Sequence, residues 1–219
     1  MGAELESLAT ILDEAALAQG LQLEAPARTR LAHYAVRAIR WNRTTNVTGA
    51  RDPAGFCRRF VADALAVAPY IEGGLIVDVG SGNGLPGLVL AVLKPHARIW
   101  LVEPRARRAR FLRQMCIELQ LANAQVVEAR VEEWLPDTRP DAIVAQAVGE
   151  LSYLVAITRH LQSPGCRLHA LKGQAPTDEI KALGAPDPAL SVRRLEVPGW
   201  SERHLVTLDC GLLEAARKA

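Results

Sequence analysis

In the run VDVGSGNGLPG, Asp78 is followed by Gly80, Gly82, Gly84 and Gly87, and a second carboxylate, Glu103, stands nineteen residues past Gly84. Glycine at this density weakens a strand or a helix, so the chain uses bare backbone here. Backbone N–H groups at the start of a helix can cradle a polar ligand. Two ligand classes meet the spacing. GNGLPG (82–87) fits the G-x-G-x-x-G of dinucleotide binding, with Glu103 placed for ribose hydroxyls. GSGNG (80–84) fits the G-x-G-x-G loop of methyltransferases that use S-adenosylmethionine, which carries the same ribose. Asp78 separates the two. A carboxylate just before the first glycine welcomes an ammonium and a sulfonium and repels a pyrophosphate. It favours the methyl donor over an NAD(P)-linked oxidoreductase.

The remaining chemistry-bearing residues are scattered. Cys57, Cys116, Cys166 and Cys210 show neither CxxC nor paired histidine spacing, so free thiols are expected and no metal site. No convincing Ser/His/Asp or paired-carboxylate arrangement is present.

The elements that position the loop are legible from periodicity. Residues 4–19 and 27–42 read as helices, with Gly20 as a stop and Pro26 as a start, and FCRRFVADALAVAPYI as a third helical segment. Beyond Gly73 the texture changes. The runs at 75–80, 97–103, 124–129, 142–148 and 167–173 read as strands, and 85–93, 105–121 and 151–161 as helices between them. Alternation of this kind implies parallel strands joined by right-handed crossovers. SVRRLEV and RHLVTLDC, around PGWSE, read as an antiparallel hairpin closing one edge. The fold expected is a doubly wound α/β domain (73–219) behind a helical N-terminal extension (1–72) packed on it. The glycine stretch is then the turn after the first strand, at the end of the sheet where ligands bind.

Bulk properties are those of a globular protein: 49% hydrophobic and 23% charged residues, with a formal charge of +2. Charge is unevenly placed. Eight arginines (28, 30, 37, 40, 43, 51, 58 and 59) face one acid, Asp52, between positions 28 and 59, and PRARRARFLR carries five more. Such clusters fit a polyanion or a solvated surface equally well. The acidic, amphipathic first twenty residues are not a secretory leader, and the longest apolar runs are too short to span a bilayer. A soluble, cytoplasmic protein is expected.

The motifs VDVGSGNGLPGLVLA (77–91), WNRTTNVT (41–48), ARDP (50–53), VAPY (67–70), RFLRQM (110–115), ARVEEW (129–134), ALKGQ (170–174) and ERHLV (202–206) occur in order. With them the chain, from about residue 31 to 208, resembles the RsmG (GidB) family, which methylates N7 of a guanine in bacterial small-subunit (16S) ribosomal RNA. The resemblance implies a Rossmann-like class I S-adenosylmethionine-dependent methyltransferase fold. On matching positions it places Gly80 and Leu85 against S-adenosylmethionine; Gly82 and Gly84 of the G-x-G-x-G loop are expected to bind it with them. Glu103 falls on the ribose, Val131 and Glu132 beside the adenine, and Asn46, Arg51, Lys172, Arg203 and His204 on the RNA side. It also shifts part of the arginine-rich segment toward RNA contact. The partner implied is 16S rRNA or a small ribosomal subunit particle, met by a monomer without metal or membrane.

The chain departs from the family at two places. AIVAQAVGE carries Gln146 where the family has an arginine beside the cofactor, and FVADA keeps Asp63 but puts Phe60 and Ala64 where His and Ser are usual. Gln146 leaves open a relative that docks on rRNA but transfers methyl groups weakly. A methyltransferase for another substrate is also open. The absence of a catalytic base fits the reaction, because guanine N7 offers a free lone pair and needs only alignment with the methyl group.

Overall fold

The computed structural model describes residues 2–45 and 48–218. Asn46, one of the residues expected on the RNA side, therefore lies outside the described residues. Helices α1 (Gly2–Leu17) and α2 (Ala25–Thr45) open the chain. Gly20, at φ +69°, turns it between them. Asp52 caps α3 (Pro53–Phe56) by accepting from the Gly55 N–H at 2.7 Å. One π-helical stretch, Cys57–Val61, then leads into α4 (Ala62–Val67). Five parallel strands follow: β1 (Leu75–Val79), β2 (Arg98–Val102), β3 (Ala124–Val127), β4 (Ala142–Gln146) and β5 (Arg167–Lys172). Between them run α5 (Gly87–Leu93), α6 (Ala106–Glu118) and α7 (Leu151–Ile157). After β5 come α8 (Thr177–Leu183), β6 (Leu190–Arg194), β7 (His204–Asp209) and α9 (Cys210–Lys218).

The seven strands form one sheet in the order β3-β2-β1-β4-β5-β7-β6. The expected hairpin is present, with β7 inserted antiparallel between β5 and β6. The expected strands and helices occur within a few residues of their predicted bounds. Two helices, α8 and α9, and the π-helical stretch are additions to that reading. Direction reverses between β1 and β4, since the chain leaves β1 for β2 and β3 on one side and returns to β4 on the other. That switch point sets the cleft above the carboxyl ends of these strands.

Strand β1 is buried along its whole length, as a central parallel strand must be. Its side chains alternate between two cores. Val77 and Val79 join the layer under α7 and α9, while Ile76 joins the layer formed by α1, α2, α4, α5 and α6. Asp78 shares the face of Ile76 by the same period of two. Helix α5, GLVLAVL, is apolar on every side because every side is covered. It packs on β2 with one face and on α2 and α4 with the other. The extension thus buries surface that would otherwise meet water. Tyr34, fully buried on α2, also donates its hydroxyl to the Asn83 carbonyl in the glycine stretch.

Close approach is most demanding at Gly87. A Cβ there would press into Leu101 and stand 2.5 Å from the Asp78 carboxylate. Gly87→Ala is expected to lower unfolding free energy by about 2 kcal/mol or more. Urea denaturation, read as a shift in midpoint at unchanged slope, checks this.

Candidate active site: the glycine loop and two adjoining clefts

The loop from Gly80 to Pro86 is folded tightly over the ends of β1 and β2. Gly80, Gly82 and Gly84 take φ values of +66°, +54° and +92°, the left-handed region that glycine enters at least cost. At Gly84 space adds a second demand, since a Cβ would collide with Leu88 and meet Leu112 at 3.2 Å. The N–H groups of Gly80 and Ser81 both donate to the Val102 carbonyl, at 2.9 and 3.1 Å. Ser81 Oγ donates back to the Asp78 carbonyl at 2.8 Å.

Two buried carboxylates tie this loop down. Glu103, at the end of β2, accepts the Gly82 N–H on Oε2 and the Arg105 N–H on Oε1, each at 2.9 Å. Asp78 accepts the Gly87 N–H on Oδ2 at 3.1 Å, fixing the first residue of α5. Its Oδ1 is buried without a hydrogen-bond partner among the described residues. Burial pushes the Asp78 carboxyl up to about 7, against the pull of the Gly87 and Ser81 hydrogen bonds and with Glu103 adding repulsion. Asp78 lines neither of the two clefts that open over the strand ends. Its side chain lies beneath the loop, where the sequence reading had turned its charge toward the ligand.

Two clefts of about 230 Å³ each open over the strand ends. The first is walled by Phe60, Gly80–Asn83, Leu85, Arg108, Gln146 and Ala147. The second runs along the ends of β4 and β5, past Val148, Gly149, Lys172 and Arg203. Gln146 and Ala147 belong to both, so they form the shared crest. Ala147 sits at φ +57°, an unusual conformation for a residue with a side chain and one often found at functional sites.

Gln146 is part of a polar cluster that the sequence did not announce. Its Nε2 donates to Asp63 Oδ2 at 3.4 Å, and Arg203 Nε donates to both Asp63 oxygens at 2.9 and 3.1 Å. Asp63 is buried on α4, which raises its carboxyl above the ordinary value, while the Arg203 hydrogen bond and charge draw it back. The Arg203 guanidinium also lies 3.4 Å over the Trp200 ring. A positive charge therefore stands beside Gln146, supplied from the start of the β7 segment. The signal for Asp63 was a lone acid inside the apolar run FVADALAV. Arg108, which also reaches the loop, belongs to the arginine cluster PRARRARFLR, whereas Tyr34 carried no such signal.

The other expected residues are dispersed around this centre. Lys172 Nζ donates to the Gly149 carbonyl at 2.7 Å and to Glu179 Oε2 at 2.6 Å, which also accepts the Leu151 N–H that opens α7. His204 is buried opposite Lys172 in the β5–β7 pairing, and its Nδ1 has no partner among the described residues. Arg51 is exposed in the loop before α3. Val131 is buried and Glu132 exposed in a single helical turn, Val131–Glu133, after β3. Neither these two nor Glu103 lines the two clefts.

Among the described residues no group of three or more His, Cys, Asp or Glu is placed to hold a metal ion, and no helix is long and apolar enough to cross a membrane. All four cysteines are free. The donor set does fit an adenosine-bearing cofactor. Each Glu103 oxygen accepts one N–H and keeps acceptor capacity for a hydroxyl, which suits a ribose diol.

Solved structures share this architecture. A B. subtilis tRNA methyltransferase, TrmK, superposes with a TM-score of 0.58 at 17% identity, over 74% of this chain and 71% of that one. A SAM-dependent O-methyltransferase of Thermotoga maritima gives 0.53 at 16%, over 67% and 64%. The fold is that of the class I S-adenosylmethionine-dependent methyltransferases. Closer likeness lies in sequence. The family model described as rRNA small subunit methyltransferase G (GidB) matches residues 27–206. The proteins of that name from Xanthomonas axonopodis pv. citri and Salmonella arizonae are 41% and 40% identical, over 90% and 93% of this chain and 95% and 97% of their own lengths. The chain belongs to the GidB family of rRNA small subunit methyltransferases. It is a methyltransferase whose cofactor is S-adenosylmethionine.

The buried Asp78 makes stability depend on pH. Between about 3.9, the value in an unfolded chain, and about 7 in the folded one, the native state keeps a proton that the unfolded state releases. This contribution is complete below the lower value and is lost as pH rises through the upper one. Asp78→Asn stays neutral throughout but buries an unpartnered amide. Its deficit against the parent protein is expected to be largest near pH 4.5 and to shrink by about 1 kcal/mol or more by pH 8. Urea titrations of both proteins across this range read it directly, and a constant difference contradicts it.

Proposed function

We propose that this protein transfers the methyl group of S-adenosylmethionine to N7 of a guanine in bacterial small-subunit (16S) rRNA, free or within a small ribosomal subunit particle, as a cytoplasmic monomer. The observation that carries this reading is the pair of clefts meeting at Gln146 and Ala147, one walled by the glycine loop and the other reaching Lys172 and Arg203. One side offers loop backbone, with the diol acceptor Glu103 bonded to it, and the other offers Lys172 and Arg203, paired with Glu179 and Asp63. When bound, S-adenosylmethionine supplies an electrophilic methyl group on a sulfonium.

The division of labour follows from the residues. Glu103 accepts the ribose hydroxyls in place of, or beside, the loop N–H groups it now holds. Gly80, Gly82, Gly84 and Leu85 let the donor lie against backbone, Val131 and Glu132 flank its adenine, and Gln146 stands at the crest between donor and base. Asp78 acts beneath the loop by fixing Gly87 rather than by touching the donor. Arg203, Lys172 and His204, with Arg51 farther out, face the RNA, and Asn46 is proposed to join them. Residues 1–72 form the extension on which part of the RNA rests, and 73–219 the transferring domain. Guanine N7 attacks with its own lone pair, so rate comes from alignment and from a fixed electrostatic environment.

Incubation with methyl-labelled donor, followed by digestion of the RNA to nucleosides, is expected to place the label in 7-methylguanosine from small-subunit RNA or particles. Glu103→Ala is expected to weaken S-adenosylhomocysteine binding roughly ten- to a hundredfold by calorimetry, the usual effect of losing hydrogen bonds to a charged acceptor. Label in another nucleoside, or none from either substrate, contradicts the proposal.

A further inference from the structure

Phe60 is the one aromatic residue that lines either cleft among the described residues, and it is half-buried in the wall of the first, which the glycine loop also lines. Its ring is held rigidly. Phe56, fully buried, stacks against it with centroids 5.6 Å apart and planes 27° apart. Tyr34 meets Phe56 edge-on at 5.2 Å and 87°, and the Tyr34 hydroxyl reaches the Asn83 carbonyl in the loop. The aromatic pile therefore carries Phe60 in fixed register with the glycine loop. Phe60 belongs to the π-helical stretch Cys57–Val61, closed by the Ala62 N–H donating to the Cys57 carbonyl. Such single π turns recur at functional sites because they re-aim side chains within a helix. The Arg59 guanidinium lies over the Phe60 ring, 5.7 Å from its centroid, and 4.7 Å from that of Trp200, so a cation stands beside this aromatic pile.

We propose that the ring of Phe60 is the platform on which the guanine to be methylated stacks, an assignment that rests on the rRNA reading. An enzyme acting on a base must take it out of its stack and receive it on a surface of its own. Aromatic faces serve this purpose in proteins that bind unpaired RNA bases, with arginine planes and charges beside them. Phe60 stands on the bank of the cleft that also holds Gln146 and Ala147, and its helix holds the Asp63 carboxylate bonded by Gln146 and Arg203. The proposed ribose acceptor Glu103, just past β2, lines neither cleft and reaches the loop through the Gly82 N–H. The platform thus lies in the glycine-loop cleft, next to the crest at which donor and base meet. Stacking fixes the plane of the purine, which is what in-line approach of N7 requires in a reaction that uses no base catalyst.

The test compares Phe60→Leu, which keeps an apolar side chain in the core, with Phe60→Trp, which keeps an aromatic face. Each is assayed with small-subunit RNA and particles from cells lacking the gene, at saturating methyl donor. Phe60→Leu is expected to raise the KM for RNA roughly ten- to a hundredfold, the loss typical of one base–aromatic stack. Its affinity for S-adenosylhomocysteine and its thermal midpoint should stay near those of the parent protein. Phe60→Trp should retain the parent KM within about threefold. If Phe60→Leu does not fold, Phe60→Met carries the same comparison. A KM unchanged in the non-aromatic variant, or a loss of S-adenosylhomocysteine affinity that accounts for the whole defect, overturns the assignment. A parent protein inactive on both substrates overturns the function itself, whereas an active parent with an unaffected variant overturns only the role of Phe60.

Discussion

The site depends on a loop pinned between two carboxylates. Asp78 holds the far end of the glycine stretch by the Gly87 N–H, and Glu103 holds its middle by the Gly82 N–H. Both sit at the ends of adjacent parallel strands, whose pairing places Asp78 beside Leu101 and Val79 beside Val102. The position of the loop is therefore set by the register of β1 and β2. Each carboxylate does a different job. Both are buried, but Asp78 fixes the first residue of α5, while Glu103 holds the loop and keeps spare acceptor capacity on each oxygen.

The same constraint explains the N-terminal extension. Fixing Gly87 against Asp78 brings α5 so close to the sheet that a helix of bulky apolar residues fills the layer above β1 and β2. Its outer side then needs cover, and α2 and α4 supply it. Tyr34 on α2 reaches back to the loop, and Phe56 and Phe60 continue that contact to the cleft. Electrostatics follows the packing. Arg28 and Arg37 are paired with Asp13 and Glu118, and Arg113 with Glu128, which leaves these arginines engaged within the protein. Arg105, Arg107, Arg108 and Arg110, at the start of α6, take part in none of the ion pairs among the described residues, and Arg108 stands at the first cleft. A polyanion meets these charges unneutralised.

Much of this was legible in the sequence because its signals are local. Alternating strand and helix periods, a glycine run after an apolar strand and an acid closing the next strand all report on neighbouring residues. What escaped the reading depends on distance or on parity. The side chain of Asp78 follows Ile76 by the period of two, yet which face of β1 lies under α5 is set by the crossover and not by the strand. Gln146 reads as a lost charge, whereas Arg203 restores one through Asp63, eighty-three residues before Gln146 along the chain. Helices α8 and α9 are short and gain their order from tertiary neighbours rather than from propensity.

The central claim, that the two clefts bring a methyl donor to a guanine of small-subunit rRNA, is tested most directly in cells. Ribosomal RNA from cells with and without the gene can be mapped for N7-methylated guanine, which is open to selective reduction and strand cleavage. One small-subunit position is expected to be methylated with the gene, unmethylated without it, and restored by the parent protein supplied in trans. An identical pattern of methylated guanines in the two RNA populations would contradict it.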